Sequence, residues 1–198
     1  IRAPSIERTA KEANDAGGVL HRETLEDVWD DRREIDERVV TGTAVSCGRV
    51  VEDLSEDRSV DEGTVAEIVS RIRDDYATFA DERDLDRMVV VNVASTEPPV
   101  ERPERYDTLS AFEAAVEDDD RDLPASALYA YVALDEGHPY VNFTPSTGSL
   151  LGGLRELADR EGVPHMGRDA KTGETLVKSA LAPMFAGRNL RVLSWEGH

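Results

Sequence analysis

The chain holds a single cysteine, Cys47, and only three lysines, Lys11, Lys171 and Lys178, among 198 residues. One thiol excludes a disulfide within the chain and fits a reducing compartment, so a cytoplasmic setting is expected. Aromatic residues make up 6% of the chain, and no apolar run approaches the length that spans a bilayer. Positive charge is scarce: 23 Lys and Arg stand against 42 Asp and Glu, a formal net charge of -19. That field repels phosphate backbones and anionic lipid headgroups, which argues against nucleic acid or a membrane surface as a partner. No GxGxxG string, nucleophile elbow or Ser-His-Asp spacing occurs. His21, His138 and His165 are isolated, so zinc is unsupported. No ligand set for any other divalent metal is visible either.

What is present is acid spread along the chain, in blocks such as Glu23 to Glu37, Glu52 to Glu62 and Glu117 to Asp122. Spread acid with arginine replacing lysine is the surface expected of a protein from a salt-loving organism, where ionic strength screens self-repulsion. The run 117–122 reads as a solvated loop, because contiguous carboxylates are ordinarily exposed charge rather than a metal site. The length suits one domain or slightly more, with a real core. The chain opens on Ile1-Arg2 without Met and ends just after a strand-like run, so a piece of a longer protein is expected.

Apolar spacing predicts a charged helix over 23–40 and an amphipathic one from Val65 to Phe79, capped by Asp61 or Thr64. Further helices are expected over 109–116, 126–134, 150–161 (stopped by Gly162) and 175–186, with a weak one around 6–14. Runs 88–93, 139–143, 163–167 and 189–195 read as strands, the first buried on both faces, and 41–49 as a loop. Alternating strands and helices give an α/β fold with a Rossmann-like, mostly parallel sheet. Ligands bind beyond the carboxyl ends of such strands, where the polar loops 94–98, 144–149 and 167–173 fall. One site is expected at their convergence.

Two of the three lysines, Lys171 and Lys178, lie where the third loop opens into a helix. Lysine can lose its proton near neutral pH where arginine cannot, so the pair points to phosphate binding, proton transfer or carbonyl chemistry. Gly167 to Thr175 fails the P-loop pattern, since Glu174 stands where Lys is required. An anion site on the amides of 173–175 remains open, although Glu174 is also explained by the helix dipole. Lys178 could instead be an exposed solubilising residue at a helix edge, a reading that weakens in a chain so poor in lysine. Small side chains over Asn92 to Thr96 either admit a ligand or form a plain turn. The hydroxyls of Thr144, Ser146, Thr147 and Ser149 could hold phosphate or ribose, or cap the next helix.

Three strings carry a resemblance: VVVNVASTEPP (89–99), PYVNFTPSTG (139–148) and GRDAKTGETLVKSALAPMF (167–185). In order and spacing they resemble the archaeal form of the myo-inositol-1-phosphate synthase family, strongly over 85–198 and weakly before. The resemblance implies NAD as cofactor and D-glucose 6-phosphate as substrate, converted to 1L-myo-inositol 1-phosphate by oxidation, enolisation, aldol closure and reduction. It implies a homotetramer serving inositol and phospholipid biosynthesis. It makes 1–165 a partial NAD-binding domain and 166–198 the start of an α+β catalytic and tetramerisation domain. By motif match Lys171 and Lys178 are catalytic, their roles undivided. Val93, Ala94, Ser95, Thr96, Asn142, Thr144, Asp169 and Thr172 face the cofactor, and Ser146 and Thr147 the substrate phosphate. The family's N-terminal glycine-rich loop and its sequence beyond position 198 have no counterpart here. A non-catalytic sugar-phosphate or nucleotide-binding module and a generic NAD-dependent dehydrogenase are the alternatives. Retention of both lysines favours the synthase.

Overall fold

The computed structural model describes residues 29–40, 42–45, 63–170 and 175–194. The predicted helix at 6–14, Cys47, Lys171 and Thr172 lie outside the described residues. The chain divides into two compact units, one of residues 1–84 with 116–121 and one of 85–115 with 122–198.

The first unit contains α1 (Trp29–Asp36) and α2 (Val65–Glu82). α1 stops short of the predicted end at 40, where the chain turns. In α2 the predicted stripe is real: Val65, Ile68, Val69 and Ile72 are buried. Its start is fixed by a capping box in which Thr64 Oγ1 accepts from Glu67 N–H and Glu67 Oε2 accepts from Thr64 N–H. Thr64, rather than Asp61, is therefore the cap. The acid run at 117–122 corrects the expectation of a merely solvated loop. Asp119, at φ 59°, accepts from the Val65 amide at 2.7 Å and so satisfies another free N–H of the helix start. Arg121 pairs with Asp119 at 2.9 Å and also donates to the Gly63 carbonyl.

The second unit holds the sheet. Its order is β1 (Val90–Asn92), β2 (Tyr140–Asn142) and β3 (His165–Gly167), all parallel. Between β1 and β2 run α3 (Leu109–Glu117) and α4 (Ala125–Asp135), and between β2 and β3 runs α5 (Gly152–Glu161). The register sets Tyr140 between Val90 and His165, and Asn142 between Asn92 and Gly167. α4 is rich in alanine and buried on nearly every side, which lets it pack closely against α5 and the sheet. Tyr106, Phe112, Leu128, Leu134, Tyr140, Leu154 and Leu157 fill the core. Gly152 and Gly153 let α5 approach the chain before α3: a Cβ on Gly153 would stand 2.7 Å from the Thr108 carbonyl oxygen. α5 ends on Gly162 in the left-handed conformation, as predicted.

Two expectations are corrected. β1 is not buried on both faces, since Val89, Val91 and Val93 are 61%, 46% and 76% exposed. Among the described residues, helices cover the side of the sheet that carries Tyr140 and Asn142. The predicted strand at 189–195 is absent over its described residues: 190–194 pair with no other strand, and Leu193 is 84% exposed. β-branched and apolar composition does not make a strand without a partner edge. Before it lies α6 (Thr175–Gly187), close to its predicted span, with Val177 and Met184 exposed.

Candidate functional site

Two strands end in the same device. Asn92 closes β1 and its Oδ1 accepts from the Ala94 amide at 3.0 Å. Asn142, its partner in register, closes β2 and accepts from the Thr144 amide at 3.0 Å. Each asparagine thus folds the chain over its own side chain in an Asx turn. Asn142 does more, being 1% exposed and fully occupied. Its Nδ2 donates to the Ser146 carbonyl at 2.9 Å and to Ser149 Oγ at 3.1 Å, and its Oδ1 also accepts from Thr144 Oγ1 at 2.7 Å. Thr144 Oγ1 in turn accepts from the Ser146 amide at 3.1 Å.

The loops are tied to one another. From 93–100 to the β2 loop run the Glu97 amide to Ser146 Oγ at 3.0 Å and the Val100 amide to Thr147 Oγ1 at 3.2 Å. From the β3 loop, the Asp169 amide donates to the Thr144 carbonyl at 3.0 Å and Arg168 to the Pro145 carbonyl at 3.2 Å. The described parts of the three predicted loops, as far as Ala170 in the third, therefore form one surface beyond the carboxyl ends of the strands. Behind it, Tyr140 donates to the Ser126 carbonyl at 3.3 Å, and burial pushes its phenol well above the ordinary value. The ring of His165 stands edge-on to Tyr140 at 5.9 Å, and burial, then the charge of Arg155, lowers its pKa below 6.5. An open pocket of about 370 Å³ runs beside α5 and β3, lined by Arg155, Asp159 and His165 among others. It contains none of the predicted site residues.

Val93, Ala94, Ser95, Thr96 and Asp169 are exposed on this surface, Asp169 at φ 56°. Thr147 is half-buried, and Lys178 is exposed near the start of α6. Asn142, Thr144 and Ser146 are different: their side chains are buried and turned into the loop's own hydrogen bonds. Here they brace the loop rather than offer a group to a ligand, because their polar atoms satisfy backbone that would otherwise be orphaned. Sequence reasoning missed Glu97, whose Oε1 accepts from the Ser126 amide at 3.0 Å, at the start of α4. Pro124 precedes that helix without a side-chain cap, and an uncapped start is the signal that could have pointed to a remote carboxylate. Among the described residues no group of three or more His, Cys, Asp or Glu could hold a metal.

A parallel sheet with crossover helices and a loop surface beyond its strand ends is the architecture of dinucleotide-binding α/β domains. The comparisons with known proteins narrow this. An NAD-binding family model described as myo-inositol-1-phosphate synthase matches residues 6–190, and the chain belongs to that family. Inositol-3-phosphate synthase 1 of Bacteroides thetaiotaomicron is 35% identical over 130 residues, covering 65% of this chain and 30% of the relative. Inositol-3-phosphate synthase of Saccharomyces cerevisiae is 33% identical over 127 residues, covering 64% and 24%. The crystal structure of inositol-3-phosphate synthase from Caenorhabditis elegans superposes with a TM-score of 0.68 at 25% identity, over 90% of this chain and 35% of that one. The chain thus spans under a third of the length of these two relatives.

Proposed function

We propose that this chain serves the NAD-dependent conversion of D-glucose 6-phosphate to 1L-myo-inositol 1-phosphate, as a cytoplasmic, homotetrameric enzyme of inositol and phospholipid biosynthesis. The family match over residues 6–190 carries the reading. The archaeal, salt-loving origin rests on the net charge of -19 and on arginine displacing lysine. Residues 1–165 would belong to the NAD-binding domain and 166–198 to the start of the catalytic and oligomerisation domain. The exposed small residues Val93 to Thr96 fit a dinucleotide, since they let it approach the backbone at the strand end. Bound NAD supplies a reversible hydride acceptor for C5 of the sugar.

The chain's own residues supply the rest. Asp169 and Thr172 flank the nicotinamide side. Thr147 and the backbone of 144–147 face the substrate phosphate, while the side chains of Asn142, Thr144 and Ser146 hold that backbone in place. Lys171 and Lys178 carry positive charge to the oxyanions that develop at enolisation and aldol closure, and serve proton transfer at C6. Arginine could supply the charge but not the proton transfer, since it stays charged and cannot exchange a proton.

The test uses the full-length gene product with glucose 6-phosphate and NAD in molar salt, with inositol phosphate as readout. Lys171→Ala and Lys178→Ala are each expected to lower kcat by roughly 100-fold or more. Turnover at the wild-type rate in both variants removes the mechanism. Stoichiometric build-up of NADH would mark a dehydrogenase instead, and binding without turnover a non-catalytic module. Equal stability in dilute buffer and in molar salt would count against the halophilic assignment.

A further inference from the structure

Glu97 stands at a junction that the reaction itself does not require. Its backbone amide donates to Ser146 Oγ at 3.0 Å, which ties the β1 loop to the β2 loop. Its side chain reaches the other way, and Oε1 accepts from the Ser126 amide at 3.0 Å, in the first turn of α4. One residue thus fixes the end of the exposed segment Val93 to Thr96 to both a neighbouring loop and a buried helix. The fit is close: Ser126 is 2% exposed, and Gly148 leaves the room its hydroxyl occupies. A carboxylate at a helix start is favoured by the dipole, and its bond to an amide is charge-assisted.

The arrangement also has a cost. Glu97 Oε2 and Ser126 Oγ are both buried, and neither has a hydrogen-bond partner among the described residues. Unsatisfied buried polar atoms are uncommon in native proteins, and local conflicts of this kind collect where structure serves function. A helix cap alone could be supplied locally by Ser, Thr or Asp at position 124, without burying a remote carboxylate.

We propose that Glu97 is a positioning residue for the cofactor, holding the 93–96 loop in the conformation that admits NAD. This rests on the synthase reading for the identity of the ligand, and direct NAD titration separates the two. In the full-length protein, Glu97→Ala is expected to weaken NAD binding and raise the KM for NAD about tenfold, the loss of one charge-assisted hydrogen bond. The KM for glucose 6-phosphate should change less than about twofold, since only one loop loses its tether. Glu97→Gln keeps the acceptor and should return NAD affinity to within about threefold of wild type. Unchanged NAD affinity in Glu97→Ala, parallel shifts in both KM values, or a Gln variant as impaired as the Ala variant each overturn the assignment. Should Glu97→Ala not fold, Glu97→Asp, which withdraws the carboxylate by one methylene, replaces it under the same criteria. A wild-type protein that binds NAD but forms no inositol phosphate sinks the synthase reading and leaves the titration to decide the role of Glu97. One that binds no NAD sinks both.

Discussion

Replacing Asn142 with alanine tests whether the loop beyond β2 is held by that side chain. Asn142 makes four close hydrogen bonds: to the Ser146 carbonyl at 2.9 Å, to Ser149 Oγ at 3.1 Å, and from the amide and hydroxyl of Thr144 at 3.0 and 2.7 Å. Each bond contributes roughly 0.5–1.5 kcal/mol net, and a buried partner left unpaired costs about 1–3 kcal/mol. Water entering the space left by the carboxamide recovers part of that, so a net loss of about 3–5 kcal/mol is expected. For a protein of this length that lowers Tm by on the order of 10 °C. Guanidinium unfolding in high salt reads the effect as a lower midpoint at unchanged slope. Asn142→Asp sharpens the test. It keeps an acceptor for Thr144 but turns an oxygen toward the Ser146 carbonyl, and it buries a charge, so it should be at least as damaging as alanine. A loss below about 1 kcal/mol in the alanine variant would refute the bracing argument.

Other perturbations give separable outcomes. The Asp119 carboxyl is held below its usual value of 3.8, first by the Val65 amide and then, against some desolvation, by Arg121. A depressed folded-state pKa stabilises above the unfolded value and is lost as pH falls through the folded one. The stability difference between wild type and Asp119→Asn should therefore be constant near neutrality and shrink below about pH 4 in acid titration. A difference that does not narrow in acid rejects the cap. Gly153→Ala would bring a Cβ to 2.7 Å from the Thr108 carbonyl oxygen and 3.0 Å from Phe112 Cβ. Overpacking of about 1–3 kcal/mol should outweigh a helix-propensity gain of about 1 kcal/mol, so chemical denaturation should show a net loss. Gly187→Ala, at the end of α6 with nothing among the described residues within 4 Å of the added atom, should be neutral or mildly stabilising.

The elements whose evidence is local were legible. The Val65-to-Ile72 stripe, the stop at Gly162 and the three strands at 90–92, 140–142 and 165–167 all follow from spacing and turn chemistry that a few neighbouring residues determine. The convergence of three loops was legible too, because a parallel sheet sends every strand end to the same side. What failed depended on partners distant in sequence. The run at 190–194 has the composition of a strand, but among the described residues it has no edge to join. Asp119 caps a helix whose start lies 54 residues earlier, and nothing in the acid run marks one carboxylate out from its neighbours. Glu97 meets Ser126 across 29 residues, equally beyond the reach of a motif.

The residues between 142 and 149 show why a polar loop is easy to locate and hard to interpret. Asparagine, serine and threonine are the side chains that would grip a phosphate or a ribose, and also those that satisfy a tight loop's own amides and carbonyls. A loop that presents its backbone outward must satisfy the inward half of its polar groups internally, and the nearest donors and acceptors are its own side chains. Here Asn142, Thr144 and Ser146 are consumed in that way, each 5% exposed or less, while Thr147 keeps some access and the chain opposite, Val93 to Thr96, stands open. Substitution at the buried three should therefore lower stability and ligand affinity together, whereas substitution along 93–96 should alter affinity alone. That contrast separates residues that build the site from residues that touch what it binds.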